Sequence, residues 1–133
     1  MPEREGTIDW PIGRHPRHGQ KFSIETRKPR VAITDYTVLR RYADFDFVEV
    51  RPHTGRTHQI RVHMAAGGHP VAGDRVYGPK KPKREIPRLF LHARKIGFRH
   101  PETEEWMEFE APLPPELERF LEILDRESAH QIL

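Results

Sequence analysis

The side chains best suited to chemistry lie in one stretch, HTGRTHQIRVHMAAGGHP, in which arginines and imidazoles precede two glycines. The pattern predicts a short helix that opens near Thr57 and stops at Gly67 and Gly68. On a wheel of about 100° per residue, one arc of this helix is largely apolar. That arc contains Thr57, Ile60, Arg61, Met64 and Ala65. Gln59 and His63 lie on the opposite side. Because Arg61 lies within the apolar arc, we expect it to be partly buried and to need a carboxylate partner.

Arg61 therefore has two interpretations. A structural ion pair or a snorkelling arginine is one, and an arginine that serves a functional site is the other. Asp74 is a candidate partner within the chain, although its GDRVYG context is typical of a turn. The start of the helix also has two interpretations: Arg56, Thr57 and His58 could bind a phosphate there, or Thr57 could be an ordinary N-cap.

Four histidines, His53, His58, His63 and His69, suggest a zinc site at first sight. His58 and His63 are five residues apart and point about 140° away from each other on the wheel, unlike a ligand pair at i and i+4. The chain also contains no cysteine, which excludes disulfides, thiolate metal sites and cysteine nucleophiles. We therefore predict no metal site.

The elements that position this helix follow from hydrophobic alternation. Residues 31–42 and 45–51 predict one antiparallel hairpin, and LFLHARKIGFRH with WMEFEAP predicts a second. A final helix begins at Pro114 and Pro115, with an apolar stripe formed by Leu117, Phe120, Leu121 and Leu124. The order indicates an α+β fold with a largely antiparallel mixed sheet and short helices. We expect one partial domain over residues 1–133, with a basic arm over 1–30 that is irregular and exposed over 11–30, and the sheet and helices over 31–127.

Charge is unevenly distributed along the 133 residues, whose formal net charge is only +3. Residues 1–100 hold 21 Lys and Arg against 10 Asp and Glu, whereas residues 101–133 hold 2 against 10. A basic body with an acidic tail predicts a polyanionic partner for the body. The sequence has no apolar run long enough to span a bilayer and no signal-peptide pattern at its start, so we expect no membrane contact and a cytoplasmic location.

Residues 51–78, RPHTGRTHQIRVHMAAGGHPVAGDRVYG, closely resemble a signature region of the RluA-type RNA pseudouridine synthases. GTIDWPIGRHPRHGQKFSI and LFLHARKIGFRHPETEEWMEFEAPLP resemble the flanking segments, so the resemblance covers almost the whole chain. It implies part of a synthase catalytic domain that isomerises uridine to pseudouridine in ribosomal or transfer RNA without a cofactor. It further implies that Arg61 pairs with the catalytic aspartate and that Leu91, from an LFLHA strand, packs in the uridine pocket.

With RNA as the implied partner, the basic loops become candidate RNA contacts that hold the substrate while a base is flipped out. The candidates are Arg14, Arg17, Lys21, Arg56, Thr57, His58, Arg75, Lys80, Lys81, Lys83, Arg84 and Arg88. A solvated, charged loop is the alternative for most of them. Tyr77 likewise is either a packed loop aromatic or a surface on which a base stacks.

The family places its catalytic aspartate in an upstream motif resembling HRLDxxTSG, followed by a KRYLA-like strand, and neither string occurs in this chain. We therefore expect the C-terminal half of a catalytic domain, as an expressed fragment or a truncated gene product, that is inactive alone because Arg61 lacks its carboxylate. A non-catalytic RNA-binding module derived from the family is the alternative. Exposed strand edges and apolar surface beside Ile60 and Leu91 predict self-association.

Overall fold

A computed structural model describes residues 1–82, 84–99 and 101–132. The chain forms two compact units, Met1–Leu89 and Phe90–Leu133. All the strand pairings in these residues are antiparallel. Together with one helix in each unit, they confirm the predicted α+β class. The prediction of a single partial domain over residues 1–133 stays a prediction. In the described residues, no helix has the length and apolarity that crossing a bilayer requires.

The first unit is built on a three-stranded sheet in the order β1, β4, β5, with bounds Glu5–Asp9, Ile33–Arg41 and Asp46–Pro52. The predicted first hairpin is confirmed as β4 and β5. In β4, Thr34, Tyr36 and Val38 are buried on one face, as the two-residue period of a strand requires.

The basic arm over residues 1–30 contains three strands, and two of them lie in the stretch 11–30 that the sequence predicts to be irregular. Residues 5–9 form β1, which pairs with β4 from Glu5 opposite Thr37 to Asp9 opposite Ile33. A strand added to a sheet edge satisfies its backbone groups through its neighbour, and this strand also buries Ile8. Farther along, β2 (Gly13–Arg14) pairs with β3 (Phe22–Ser23) in a short ribbon.

The helix α1 spans Gln59–Ala66, and two core clusters pack around it. Met64 joins the cluster of Ile8, Tyr36 and Val38, whereas Val62 joins the cluster of Ile12 and Ala32. The predicted helix start was wrong: His58, not Thr57, is the N-cap, and it adopts a left-handed φ of 55° without a side-chain cap. The helix is nevertheless terminated near Gly67 and Gly68 as expected, since Gly68 has a φ of 85°.

The second unit contains the predicted second hairpin and terminal helix. Strands β6 (Lys95–Arg99) and β7 (Trp106–Glu110) pair, and α2 spans Pro115–Ile132. The predicted apolar stripe is confirmed where Leu117, Phe120 and Leu124 are buried. The expectation that LFLHA is a strand is wrong, because β6 begins only at Lys95 and the segment before it has no ladder partner among the described residues.

Candidate functional site

Arg61 on α1 makes a two-pronged ion pair with Asp74. Its Nε lies 2.9 Å from Oδ2 and its Nη2 lies 2.9 Å from Oδ1. The carboxylate is completely buried, and the Arg61 side chain is only 18% exposed. The expectation that Arg61 lacks a carboxylate in this chain is therefore wrong, and Asp74 is the partner. That Arg61 also meets an aspartate from an upstream segment stays a prediction.

Asp74 can be both a turn residue and an ion-pair partner because Oδ1 accepts hydrogen bonds from the turn and from Arg61, whereas Oδ2 accepts only from Arg61. Oδ1 accepts the backbone N–H groups of Val76 and Tyr77, each at 3.0 Å, which shapes the GDRVYG turn. Gly73 enters this turn with a φ of 79°, a conformation in which a side chain would be strained. The turn thereby aims both carboxylate oxygens at α1, in a geometry that matches the fork of a guanidinium.

The environment of the pair shifts the pKa of both members. Burial acts to raise the pKa of Asp74, but hydrogen bonds from Arg61 and from the Tyr77 and Val76 amides outweigh it, and the pKa is lowered. The hydrogen bond with Asp74 raises the pKa of Arg61 further above its ordinary value, against the opposing effect of burial. Both groups are therefore charged across the physiological range, and the site holds a fixed cation beside a fixed anion.

Tyr77 covers one face of the guanidinium. The Cζ atom of Arg61 lies 5.1 Å from the centre of the Tyr77 ring, within the range of a cation–π contact. The Tyr77 hydroxyl accepts the backbone N–H of Phe22 at 3.1 Å and lies 2.8 Å from His58 Nδ1. Tyr77 therefore links α1 to the β2–β3 ribbon, and its ring also packs against the cluster containing Val62.

These contacts leave part of Arg61 available. Nε and Nη2 point at Asp74, whereas no hydrogen bond from Nη1 is found within residues 1–82, 84–99 and 101–132. A guanidinium held by two bonds on one edge and a ring on one face has little rotational freedom left. Such a group presents donors in a fixed direction, and it can orient a second carboxylate or a phosphate.

The opposite side of α1 is also polar, and here the wheel was misleading. Gln59 and His63 are buried, at 4% and 0% exposure, because partners satisfy them. Gln59 Nε2 donates to Thr34 Oγ1 and to the Ile33 carbonyl, both at 2.9 Å. His63 Nδ1 lies 2.7 Å from Thr34 Oγ1, and its Nε2 lies 2.8 Å from the Trp10 carbonyl. Since a carbonyl only accepts, Nε2 carries the proton and Nδ1 accepts from Thr34. Both ring nitrogens of His63 are thus used structurally.

The candidate RNA contacts fall in the first unit, but only some of them meet. Arg14, Arg56 and Thr57 line one cleft. The other described candidates do not line this cleft. Arg84 is half-buried, and the exposed ones are Arg17, Lys21, Arg75, Lys80, Lys81 and Arg88. Lys83 lies outside the described residues. His58 is exposed, yet its ring is held by Tyr77 and packs edge-on at 5.8 Å from Phe22.

Leu91 lies in the second unit and is half-buried. The next residue, His92, anchors this segment because its Nε2 donates to the Ala111 carbonyl at 2.9 Å. Phe90, on the other side of Leu91, packs its ring 6.1 Å from that of Phe120. The segment is thus fixed by its neighbours although it is not part of β6, and its role in a uridine pocket stays a prediction.

The fold and this site define an α+β protein with a rigid, partly exposed arginine and a basic surface. Residues 1–66 match the family model described as RNA pseudouridylate synthase. An uncharacterized RNA pseudouridine synthase of Chloroflexus aurantiacus is 45% identical over 130 residues, which are 97% of this chain and 41% of that protein. The dual-specificity RNA pseudouridine synthase RluA of Pasteurella multocida is 44% identical over 117 residues, which are 84% of this chain and 52% of that protein.

A solved structure agrees with these relatives. Human RNA pseudouridylate synthase domain containing 1 superposes with a TM-score of 0.69 at 30% identity, covering 94% of this chain and 61% of that one. The chain belongs to the RNA pseudouridine synthase family. It spans about two fifths of the length of the first curated relatives that it matches, 41% of one and 39% of another.

Proposed function

We propose that this chain is the C-terminal portion of an RNA pseudouridine synthase that acts on ribosomal or transfer RNA in the cytoplasm. The observation that carries the proposal is the fixed Arg61 guanidinium, which Asp74 holds on one edge and Tyr77 covers on one face. In the reaction, the C1′–N1 bond of uridine breaks, the base rotates, and C1′ bonds to C5. The C5 proton leaves and N1 gains one, so atoms balance without a cofactor.

Within this proposal, Arg61 orients the carboxylate of an aspartate supplied from outside these 133 residues. Its Nη1 edge, which donates no hydrogen bond within the described residues, supports the role, because a charge-assisted bond there would fix the carboxylate without disturbing Asp74. Leu91 contributes an apolar wall to the uridine pocket. The basic side chains of the first unit bind phosphates, a sequence-independent interaction that fixes the RNA before chemistry.

Tritium release from RNA carrying C5-labelled uridine tests the proposal. We expect none from the 133-residue chain alone, because the nucleophile is missing. We expect release from a chimera in which the upstream part of the Bacillus subtilis relative YlyB, 48% identical to this chain over 120 residues, precedes it. Circular dichroism of both proteins serves as the control that each is folded.

Three outcomes separate the alternatives. Turnover by the chain alone would overturn the predicted inactivity. A folded chimera that binds RNA without tritium release would favour a non-catalytic RNA-binding module. Arg61→Lys in an active chimera keeps the charge but loses the fork, so we expect its kcat to fall by about 100-fold or more, in the range seen for lost positioning groups. The upstream genomic sequence offers a rapid further test. An in-frame HRLD-like segment there would support the synthase, and its absence would support the non-catalytic module.

Self-association is part of the proposal. In the order β1, β4, β5, the outer strand β5 has one edge without a partner among the described strands, and such edges favour pairing with another chain. Light scattering of the 133-residue chain is expected to give a mass above 15.7 kDa. A monomer at all concentrations would contradict this.

A further inference from the structure

A cleft of about 550 Å³ opens in the first unit between the β2–β3 ribbon, the segment before β4 and the loop before α1. Five of the residues that line it are cations: Arg14, Arg27, Lys28, Arg30 and Arg56. The lining set includes no aspartate or glutamate. Clustered like charges repel one another, so a concave surface of this composition is suited to an anionic occupant.

Backbone contacts hold the walls of the cleft in place. Ile12 and Arg30 exchange two backbone hydrogen bonds, at 2.9 and 3.0 Å. Thr26 Oγ1 donates to the Arg14 carbonyl at 2.9 Å and accepts the Lys28 N–H. A side chain at Gly13 would collide with Thr26 and with the Lys28 carbonyl, so the two wall segments lie in direct contact. The walls are therefore preformed.

The cationic side chains on these walls remain at the surface. Arg14, Arg27, Lys28 and Arg30 are exposed. Arg56 is half-buried, and its Nε donates to the Val31 carbonyl at 2.7 Å, which leaves the two Nη atoms for a ligand. No ion pair engages these cations within the described residues. They resemble a track of positive charge rather than a salt-bridge network.

An apolar floor completes the cleft. Ile12 is 1% exposed, and the half-buried ring of Phe22 lies beneath Arg14, whose Cζ is 5.7 Å from the ring centre. Phe22 also donates its backbone N–H to Tyr77, which covers Arg61. The cleft is thus linked through two aromatic residues to the arginine site.

We infer that this cleft binds the sugar–phosphate backbone of an unpaired RNA strand. The inference rests on the proposed function, which identifies the nucleic acid as RNA. The volume of the cleft falls in the range of small-ligand pockets, roughly 300–1,000 Å³. This volume suits about one nucleotide, whereas a double helix is too wide to enter. A row of cations over apolar and aromatic side chains is the arrangement with which proteins bind single strands without reading sequence. The cleft binds the strand beside the target uridine and leaves the target to Arg61.

Fluorescence anisotropy with the 133-residue chain tests this inference without requiring activity. The probes are a labelled 12-nucleotide oligouridine, a 12-base-pair RNA duplex and inorganic phosphate as competitor. We expect the single strand to bind at least tenfold more tightly than the duplex. Arg27→Gln with Arg30→Gln should weaken single-strand binding about tenfold and lower the slope of log K against log salt by roughly 1.4, since each phosphate contact contributes about 0.7 for single strands.

The matched control is Arg119→Gln with Arg126→Gln, which removes the same charge from exposed positions of α2. It should change the affinity less than twofold. Equal losses in both double variants would show that only net charge matters and would overturn the inference, as would tighter binding of the duplex. Full displacement by millimolar phosphate would reduce the cleft to a simple anion site and contradict the strand preference. Failure of the chimera to release tritium would leave these binding results intact, so the two proposals fail separately.

Discussion

Both sides of α1 contain polar side chains, but the two sides differ in how completely these side chains are paired within the fold. On one side, Gln59 and His63 use their side-chain nitrogens on Thr34 and on backbone carbonyls. On the other side, Arg61 binds Asp74 through Nε and Nη2 and keeps an edge available. A network whose donors and acceptors are all matched stabilises and specifies a core, whereas a cation with donors to spare can act on another molecule. The difference separates a face whose polar groups are used within the fold from a face that can serve the proposed function.

The largest expected effect comes from breaking the Arg61 pair. Asp74→Ala removes the carboxylate, leaves a mostly buried guanidinium uncompensated and deletes the turn acceptor for two amides. We expect a loss of about 3 kcal/mol in the free energy of unfolding, measured by urea titration. Asp74→Asn retains a turn acceptor and should lose less.

Asp44→Ala is the matched control, because Asp44 is an exposed residue in the turn between β4 and β5. It should cost less than about 0.5 kcal/mol. If Asp74→Ala were no more destabilising than this control, the ion pair would have no structural weight, and the picture of a guanidinium held in place would fail.

The second prediction concerns the side of α1 that contains Gln59 and His63. His63→Ala removes the acceptor of the Thr34 hydroxyl proton and the donor to the Trp10 carbonyl, and it opens a cavity, so we expect a loss of about 2 kcal/mol. A double-mutant cycle with Thr34→Val should show coupling of about 1 kcal/mol, because the two side chains share one hydrogen bond. The folded variant should still bind oligouridine within twofold of the parent chain.

His69→Ala controls for loss of an imidazole at an exposed position just after α1. A folded His63 variant with strongly reduced RNA affinity would contradict the assignment of this face to structure, and additive effects of the two substitutions would contradict the network.

The same two faces show what the sequence could predict. Alternation in residues 31–51 predicted the β4–β5 hairpin, because strand burial follows a simple two-residue period. The wheel for α1 failed because it ranks residues by polarity, whereas Gln59 and His63 are buried through contacts with Thr34, a residue far away in sequence. Burial of Arg61 and its need for a carboxylate were anticipated, but the turn context of Asp74 concealed that one carboxylate can serve a turn and an arginine together.

Acidification offers a third and smaller test, which concerns the ion pair between Asp74 and Arg61. The pKa of Asp74 is lowered in the folded chain, so its stabilising contribution is fully present above the unfolded value near 4 and is lost as pH falls through the folded pKa. Arg61 stays charged throughout. The difference in unfolding free energy between the parent chain and Asp74→Asn should therefore shrink between about pH 5 and pH 2, with a slope no steeper than about 1.4 kcal/mol per pH unit for one group. A constant difference would show that the carboxylate titrates normally.

The smallest effect is expected at an exposed polar cluster around Asp35, on strand β4 of the three-stranded sheet. Asp35 accepts hydrogen bonds from His53 and Thr7, and these two bonds, in that order, lower its pKa despite some burial. Its contribution is likewise lost as pH falls, but water and salt screen an exposed pair far more than the Asp74 site. Asp35→Asn should thus destabilise the chain less than Asp74→Asn in urea titrations at neutral pH, and added salt should reduce only the Asp35 effect. If salt reduced both effects equally, the Asp74 carboxylate would be accessible to solvent, and the contrast between a shielded site and an exposed pair would not hold.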